Sequence, residues 1–237
     1  MKNRIETPMY VTPGFVDGLE KQFPEGSSRH DQITNTKRQV TQFLRDAGTS
    51  IKQIESVRKA NQEDPTQTQS ARAVNTFKFA EKQFGKIHKR MESLPSISLV
   101  MQDLQSEMDA TMAERAKSPF ASEARARIAS MPEAERASFI SKRMQGEDIE
   151  TAAYALGAPA FLSGLSDEQH KTLKNHYQNT VFSAEMDAMK ALDSLNIHTQ
   201  KAIKSTSQVF SNIEAQAQLK GALDKSERAQ KLMDTPA

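Results

Sequence analysis

The chain has 237 residues, a formal net charge of +2 and no cysteine. The absence of cysteine excludes a disulfide-stapled scaffold, a thiolate zinc site and a cysteine nucleophile. Leu, Ile, Val and Phe supply 45 residues, a fraction close to that of disordered chains, but disorder also needs a large net charge, which is missing here. The composition therefore favours amphipathic helices with narrow apolar stripes, whose burial is completed by neighbouring helices or by other subunits.

Residues 1–28 form the first of four predicted segments, an apolar arm that contains three of the nine prolines and three of the nine glycines. These helix-breaking residues exclude a long helix in this segment. Two interpretations carry equal weight: the arm docks on a partner, or it folds back on the chain's own helices. The side chains predicted to bind a partner are Tyr10, Phe15, Val16, Leu19 and Phe23.

Residues 29–94 are predicted to form an antiparallel helical hairpin. Apolar residues at helical spacing define the first helix, which should end near Asn61 because the polar sequence Glu63-Asp64-Pro65 follows. A second stripe leads to Leu94, and a short turn between two long helices makes a hairpin. The first stripe is Ile33, Val40, Leu44, Ala47, Ile51 and Ile54, and the second is Ala73, Phe77, Ala80, Phe84, Ile87, Met91 and Leu94.

Residues 95–165 are predicted to be a helical middle region that ends in an apolar elbow. Ser130 and Glu133 have capping-box spacing, and Gly146 is placed to end the helix that they begin. In the elbow, Gly157 and Pro159 should stop a helix, while several apolar side chains follow without a periodic stripe. These side chains should be buried, either where the elbow packs two helices together, which is slightly favoured, or in a contact between subunits. The predicted contact residues are Phe161, Leu162 and Leu165.

Residues 166–237 are predicted to be a long C-terminal helix and a tail. Ser166 and Gln169 have the spacing of a capping box. Neither Pro nor Gly occurs between Leu165 and Lys220, so one helix of about 55 residues is permitted. The apolar stripe shifts near residues 196–200, which indicates either a gradual drift of the seam or a break, so one helix or two remain open. The predicted fold class is all-α, an elongated bundle of long amphipathic helices without a sheet.

No local pattern indicates catalysis, a metal site or a cofactor site. The five histidines lack metal-ligand spacing, and the glycines form no phosphate-binding loop. Lys86, Lys89 and Arg90 could meet phosphates, but neighbouring acids favour a solvated helix face. Acidic and basic residues are interspersed, so specific nucleic-acid recognition is not expected. We expect a chain that is not an enzyme, although a site built from residues distant in sequence would leave no such signature.

The run from Met131 to Glu168 contains the core Leu-Gly-Ala-Pro-Ala-Phe-Leu-Ser-Gly-Leu. Over residues 131–168 the chain resembles uncharacterised helical structural proteins of tailed bacteriophages. The resemblance carries no functional residues, but it implies a non-enzymatic role in the virion, in the head-to-tail region or as an internal protein ejected with the genome. The expected partners are further copies of the chain, in a homo-oligomer, and other virion proteins. The expected location is the virion, preceded by the host cytoplasm during assembly.

A different interpretation is a soluble bacterial helical adaptor or secreted effector that binds a host protein through a helix groove. Residues 1–6 are not followed by an apolar run of signal-peptide length, and no apolar run reaches 18 residues. These two observations predict a chain without a transmembrane segment that is soluble when made. The presence or absence of the protein in purified particles would separate this interpretation from a virion role.

Overall fold

The computed structural model describes residues 5–21, 23–24, 27–146 and 148–218. Within these ranges all regular structure is helical and no strand occurs, which confirms the all-α class. Short 3₁₀ turns cover Met9–Val11 and Ala160–Ser163. The α-helices are α1 Pro13–Glu20, α2 His30–Glu63, α3 Gln69–Glu92, α4 Ile97–Arg115, α5 Ala121–Ala129, α6 Glu133–Gln145, α7 Ile149–Leu156, α8 Asp167–Val181 and α9 Ser183–Gln218.

The described chain divides into two compact units. The first unit contains the residues up to Phe23, Thr34–Ser96 and the residues from Asp193 onward, and the second contains Pro24–Ile33 and Ile97–Leu192. Each unit thus combines segments that are distant in sequence, whereas the four predicted segments follow one another along the chain. The four-segment division itself stays a prediction.

The first unit contains the predicted antiparallel hairpin of α2 and α3. Near the turn, the Asn61 side-chain amide donates to the Thr76 hydroxyl at 3.0 Å. Further along, Arg90 pairs with Asp46 at 3.3 Å. The earlier residue of α2 thus contacts the later residue of α3, which is the antiparallel arrangement. Thr68 caps α3 by accepting a hydrogen bond from the Ala71 amide, as expected for a helix that starts after a polar turn.

A shared apolar core joins α2, α3 and the C-terminal part of α9 in this unit. Phe84 and Phe210 lie with their ring centroids 4.7 Å apart, a distance typical of stabilising aromatic pairs. All six residues of the stripe predicted for α2 are buried, so the sequence pattern identified the face that packs. The core residues common to the three helices are Ile54, Phe77, Ala80, Ile213 and Ala217.

The second unit packs α4, α5, α6 and α8 against the short helix α7. Ala152, Ala153, Ala155 and Leu156 of α7 are buried in its core, and the small size of the three alanines lets the surrounding helices approach closely. At the end of α7, a Cβ atom on Gly157 would overlap the Met112 carbonyl oxygen. Glycine is therefore required where α4 crosses the end of α7.

Two arginines of the second unit satisfy carbonyl groups that helix ends leave without intrahelical partners. Arg125 donates to the carbonyls of Ala116 and Tyr154 at 3.0 and 3.1 Å. Arg136 connects three segments because it donates to three carbonyl oxygens. They belong to Ala129 at 2.9 Å, Met131 at 3.0 Å and Gly164 at 2.5 Å.

The predicted helix caps of the second unit are partly correct. The capping box of Ser166 and Gln169 is formed in both directions, and Gly146 ends α6 as predicted. The predicted box of Ser130 with Glu133 is wrong, because Pro132 occupies the N-cap position of α6 without a side-chain cap. Ser130 instead ends α5, and its hydroxyl donates to the Arg127 carbonyl at 2.7 Å.

The long C-terminal helix is interrupted once within the described residues. Helix α8 ends at Val181, α9 begins at Ser183, and Phe182 between them has φ −114° and ψ 43°. Residues 196–200 lie inside the uninterrupted α9. The shift of the stripe there is therefore a drift of the seam, and the break occurs earlier than the sequence indicated. Residues 219–237, which include the predicted tail, lie outside the described part of the chain.

Candidate functional site

The predicted N-terminal arm folds back on its own unit over the described residues. It lies antiparallel to α2: the Ile5 amide donates to the Glu55 carboxylate at 3.3 Å, and a Cβ on Gly48 would overlap the carbonyl oxygen of Val11. Val16 and Leu19 are buried. Of the two interpretations of the arm, this arrangement is the fold-back, and these two predicted contact residues belong to the chain's own core.

Charged groups fasten α1 to α2. Arg45 donates to Asp17 at 2.8 Å and to Glu20 at 2.9 Å, and the Thr41 hydroxyl donates to Glu20 at 2.8 Å. The hydrogen bond from Arg45 holds the pKa of Glu20 below its ordinary value, and the bond from Thr41 acts in the same direction. The pair therefore remains charged in mildly acidic solution and continues to hold the arm.

An aromatic cluster fastens the start of the arm to α9. The ring of His198 lies 4.9 Å from that of Phe15 and 5.8 Å from that of Tyr10, and the Lys201 ammonium lies 5.7 Å from the Tyr10 ring centroid. Burial, reinforced by the charge of Lys201, lowers the pKa of His198. The remaining predicted arm residue, Phe23, is half-buried and lies under Lys37, with 5.2 Å between ammonium and ring centroid.

The elbow, residues 157–165, separates its apolar side chains into an inner and an outer set. Ala160, Ser163 and Leu165 are buried. Phe161 and Leu162 retain 75% and 42% of their accessible surface. Leu165 therefore packs inside the chain, as expected if the elbow joins two helices, whereas the described residues leave Phe161 and Leu162 uncovered, and the burial of these two in a contact between subunits stays a prediction. We refer to these two residues as the apolar pair.

The 3₁₀ turn explains this division. Pro159 has an extended backbone and cannot continue α7, and the turn starts at the next residue. In a 3₁₀ helix, side chains three residues apart lie on the same side. Ala160 and Ser163 consequently face the core together, and the two residues between them face outward.

The turn is held by hydrogen bonds at both ends. The Leu165 amide donates to the Ala160 carbonyl at 3.1 Å, and Ala158 contacts the His170 ring nitrogen at 3.0 Å through its carbonyl. Gly164 ends the turn with φ +65°, a conformation that favours glycine. A Cβ there would also lie 2.8 Å from the Arg136 guanidinium, which binds the Gly164 carbonyl. The apolar pair is thus presented on a fixed backbone.

Charged groups of both signs lie next to the elbow. Asp167 and Glu168, which begin α8, are both exposed. Lys171, one turn further along α8, is exposed as well, and the Arg136 guanidinium donates to three backbone carbonyls, including that of Gly164. The described residues contain no group of three or more His, Asp or Glu side chains that could hold a metal ion. No described helix combines the length and apolar character needed to cross a membrane.

Sequence reasoning missed a further exposed aromatic residue. Phe120, immediately before α5, is 69% exposed. It follows Ser118-Pro119 and belongs to no apolar stripe, and such an isolated residue between two helices gives no periodic signal. Its exposure makes it a natural control for Phe161.

The chain matches no protein-family model, and no curated protein or solved structure shows significant similarity to it.

Proposed function

We propose that this chain is a non-enzymatic assembly protein and that the apolar pair of the elbow is its principal contact. The observation that carries the proposal is the exposure of Phe161 and Leu162 on a turn whose neighbours, Ala160, Ser163 and Leu165, are buried. Adjacent apolar side chains facing solvent lose their contact with water when a partner covers them, which favours association.

The fixed backbone makes this pair suitable as an anchor. A contact residue on a mobile loop must lose conformational freedom when it binds, and that loss reduces affinity. Here Gly164, the Arg136 hydrogen bonds and the buried Leu165 already hold the turn. Aromatic anchors that enter a partner's pocket commonly supply most of the binding free energy of an interface.

The setting that we propose is a bacteriophage virion, where the chain acts as a homo-oligomer in the head-to-tail region or as an internal protein ejected with the genome. The resemblance of residues 131–168 supports this setting, and the elbow lies inside that range. Its partners would then be further copies and other virion proteins, first in the host cytoplasm and then in the particle.

Mass spectrometry of purified particles tests the setting. We expect the protein in particles from cells that produce the phage, and genome release would distinguish a retained head-to-tail component from an ejected internal one. Absence from purified virions would contradict the virion role and favour the adaptor or effector interpretation.

A substitution in the phage genome tests the contact. Phe161→Ser should reduce incorporation of the protein into particles while the free protein remains folded by circular dichroism. Phe120→Ser is the matched control, since it removes another exposed aromatic from the same unit, and it should leave incorporation unchanged. Normal incorporation of the Phe161→Ser protein would contradict the proposed contact.

A further inference from the structure

A groove in the first unit has enough volume to hold the apolar pair. It lies between α2 and α3, has a volume of about 370 Å³, and is lined by Phe43, Ala47 and Ile87 among others. Cavities of roughly 150 Å³ already accept one benzene ring. The groove therefore has room for the side chains of both Phe161 and Leu162.

The groove offers a cationic partner to the acids that follow the elbow. Lys86 and Arg90 line the groove and are exposed. Asp46 is the acidic residue of the lining, and it pairs with Arg90 at 3.3 Å. The lining therefore carries one positive charge, that of Lys86, which its own acid does not balance. The exposed acids beside the elbow are Asp167 and Glu168. An ion pair between Lys86 and one of these acids would fix the orientation of the contact and increase its association rate.

We propose that the apolar pair of one copy inserts into the α2–α3 groove of a second copy. This inference rests on the proposed assembly function and adds the identity of the partner surface. The contact that we propose is heterologous: each pair of copies makes it once and is left with one free elbow and one free groove. Such contacts generate rings or filaments rather than closed twofold dimers.

Three substitutions in the 237-residue chain separate the two surfaces. Phe161→Ser removes the anchor, Ser50→Trp fills the groove, and Lys86→Glu reverses a charge at its rim. The matched controls are Phe120→Ser, Ser56→Trp on an exposed position of α2 outside the groove lining, and Lys82→Glu one turn before Lys86. Circular dichroism of each variant verifies folding before association is measured.

Light scattering coupled to size exclusion, with sedimentation equilibrium for affinities, gives the readout. The unmodified chain should form species that grow with concentration. We expect Phe161→Ser and Ser50→Trp each to weaken self-association by about thirtyfold or more, as for the loss of a central anchor. Lys86→Glu should weaken it by about threefold, and this difference should shrink at high salt. The three controls should associate normally.

Mixing two defective variants gives the decisive result. The Phe161→Ser chain keeps its groove and the Ser50→Trp chain keeps its elbow, so an equimolar mixture should form a one-to-one pair and nothing larger. A mixture that associates no better than its two components would contradict insertion of the elbow into this groove.

Other outcomes distinguish this inference from the proposed function. If Phe161→Ser is defective while Ser50→Trp and Lys86→Glu associate normally, the pair docks elsewhere and only the inference falls. A chain that stays monomeric at all accessible concentrations also overturns the second copy as occupant, and particle incorporation then decides the function. If Phe161→Ser changes neither self-association nor incorporation, both fall.

Discussion

The N-terminal arm and the elbow are both apolar connecting segments, yet the chain buries one and exposes part of the other. In the arm, Val16 and Leu19 occupy adjacent turns of the short helix α1 and are both buried against the unit. In the elbow, the 3₁₀ turn faces its smallest side chains inward and its largest outward, with Phe161 75% exposed. Apolar content alone therefore does not identify a contact surface; the local helix type decides which side chains face solvent.

The largest expected effect is the loss of stability when a buried leucine of either segment is replaced by alanine. Leu165→Ala in the elbow and Leu19→Ala in the arm should each lower the free energy of unfolding by about 2–5 kcal/mol, because each change leaves a cavity. Phe161→Ala should change it by less than about 0.5 kcal/mol, since the ring is already exposed. Urea unfolding of the three variants measures these values. A cost for Phe161→Ala equal to that for Leu165→Ala would contradict the division of the elbow.

A smaller effect follows from the close approach of the arm to α2. Gly48→Ala places a methyl group against the Val11 carbonyl, and relieving that overlap should cost about 1–3 kcal/mol. The arm should also become more sensitive to protease. Gly85→Ala is the matched control because nothing lies within 4 Å of its added Cβ. That helical position should gain about 0.5–1 kcal/mol. Equal behaviour of the two variants would show that the arm does not rest on Gly48.

The smallest effect is a dependence of arm docking on pH. Burial between Tyr10 and Phe15, together with Lys201, lowers the pKa of His198 from its ordinary 6.5. The docked state therefore binds the proton less well than the released state. Docking should be complete above pH 6.5 and should weaken as the pH falls below it. The pair of Glu20 with Arg45 stays charged in this range, since the pKa of Glu20 lies below its ordinary 4.5.

A dye attached at Met9→Cys reports this change, because the chain has no other cysteine and Met9 is exposed. Fluorescence anisotropy should be lower at about pH 5.5 than at about pH 8. His198→Phe keeps an aromatic contact without a titrating group and should flatten the profile. A dye placed at Phe120→Cys, an exposed position outside the arm and outside the proposed contact, supplies the comparison and should show constant anisotropy. A persistent fall in the His198→Phe chain would assign the pH dependence to another group.

The sequence alone determined the helical class, the face of α2 that packs, the hairpin and the Ser166 cap. All of these depend on residues within a few positions of one another, where helical spacing and capping chemistry act directly. The capping box predicted at Ser130 failed, because Ser130 ends α5 and its hydroxyl binds the Arg127 carbonyl. A local pattern cannot distinguish the end of one helix from the start of the next.

Only the tertiary structure decided which apolar side chains of the connecting segments are covered. The fold-back of the arm depends on Arg45, Gly48 and His198, which are distant from it in sequence. The outward direction of Phe161 depends on the Arg136 bond to Gly164 and on the buried Leu165. The groove between α2 and α3 likewise exists only where the two helices meet. Burial is a property of packing between distant segments, whereas periodicity records only which residues share one face of a helix.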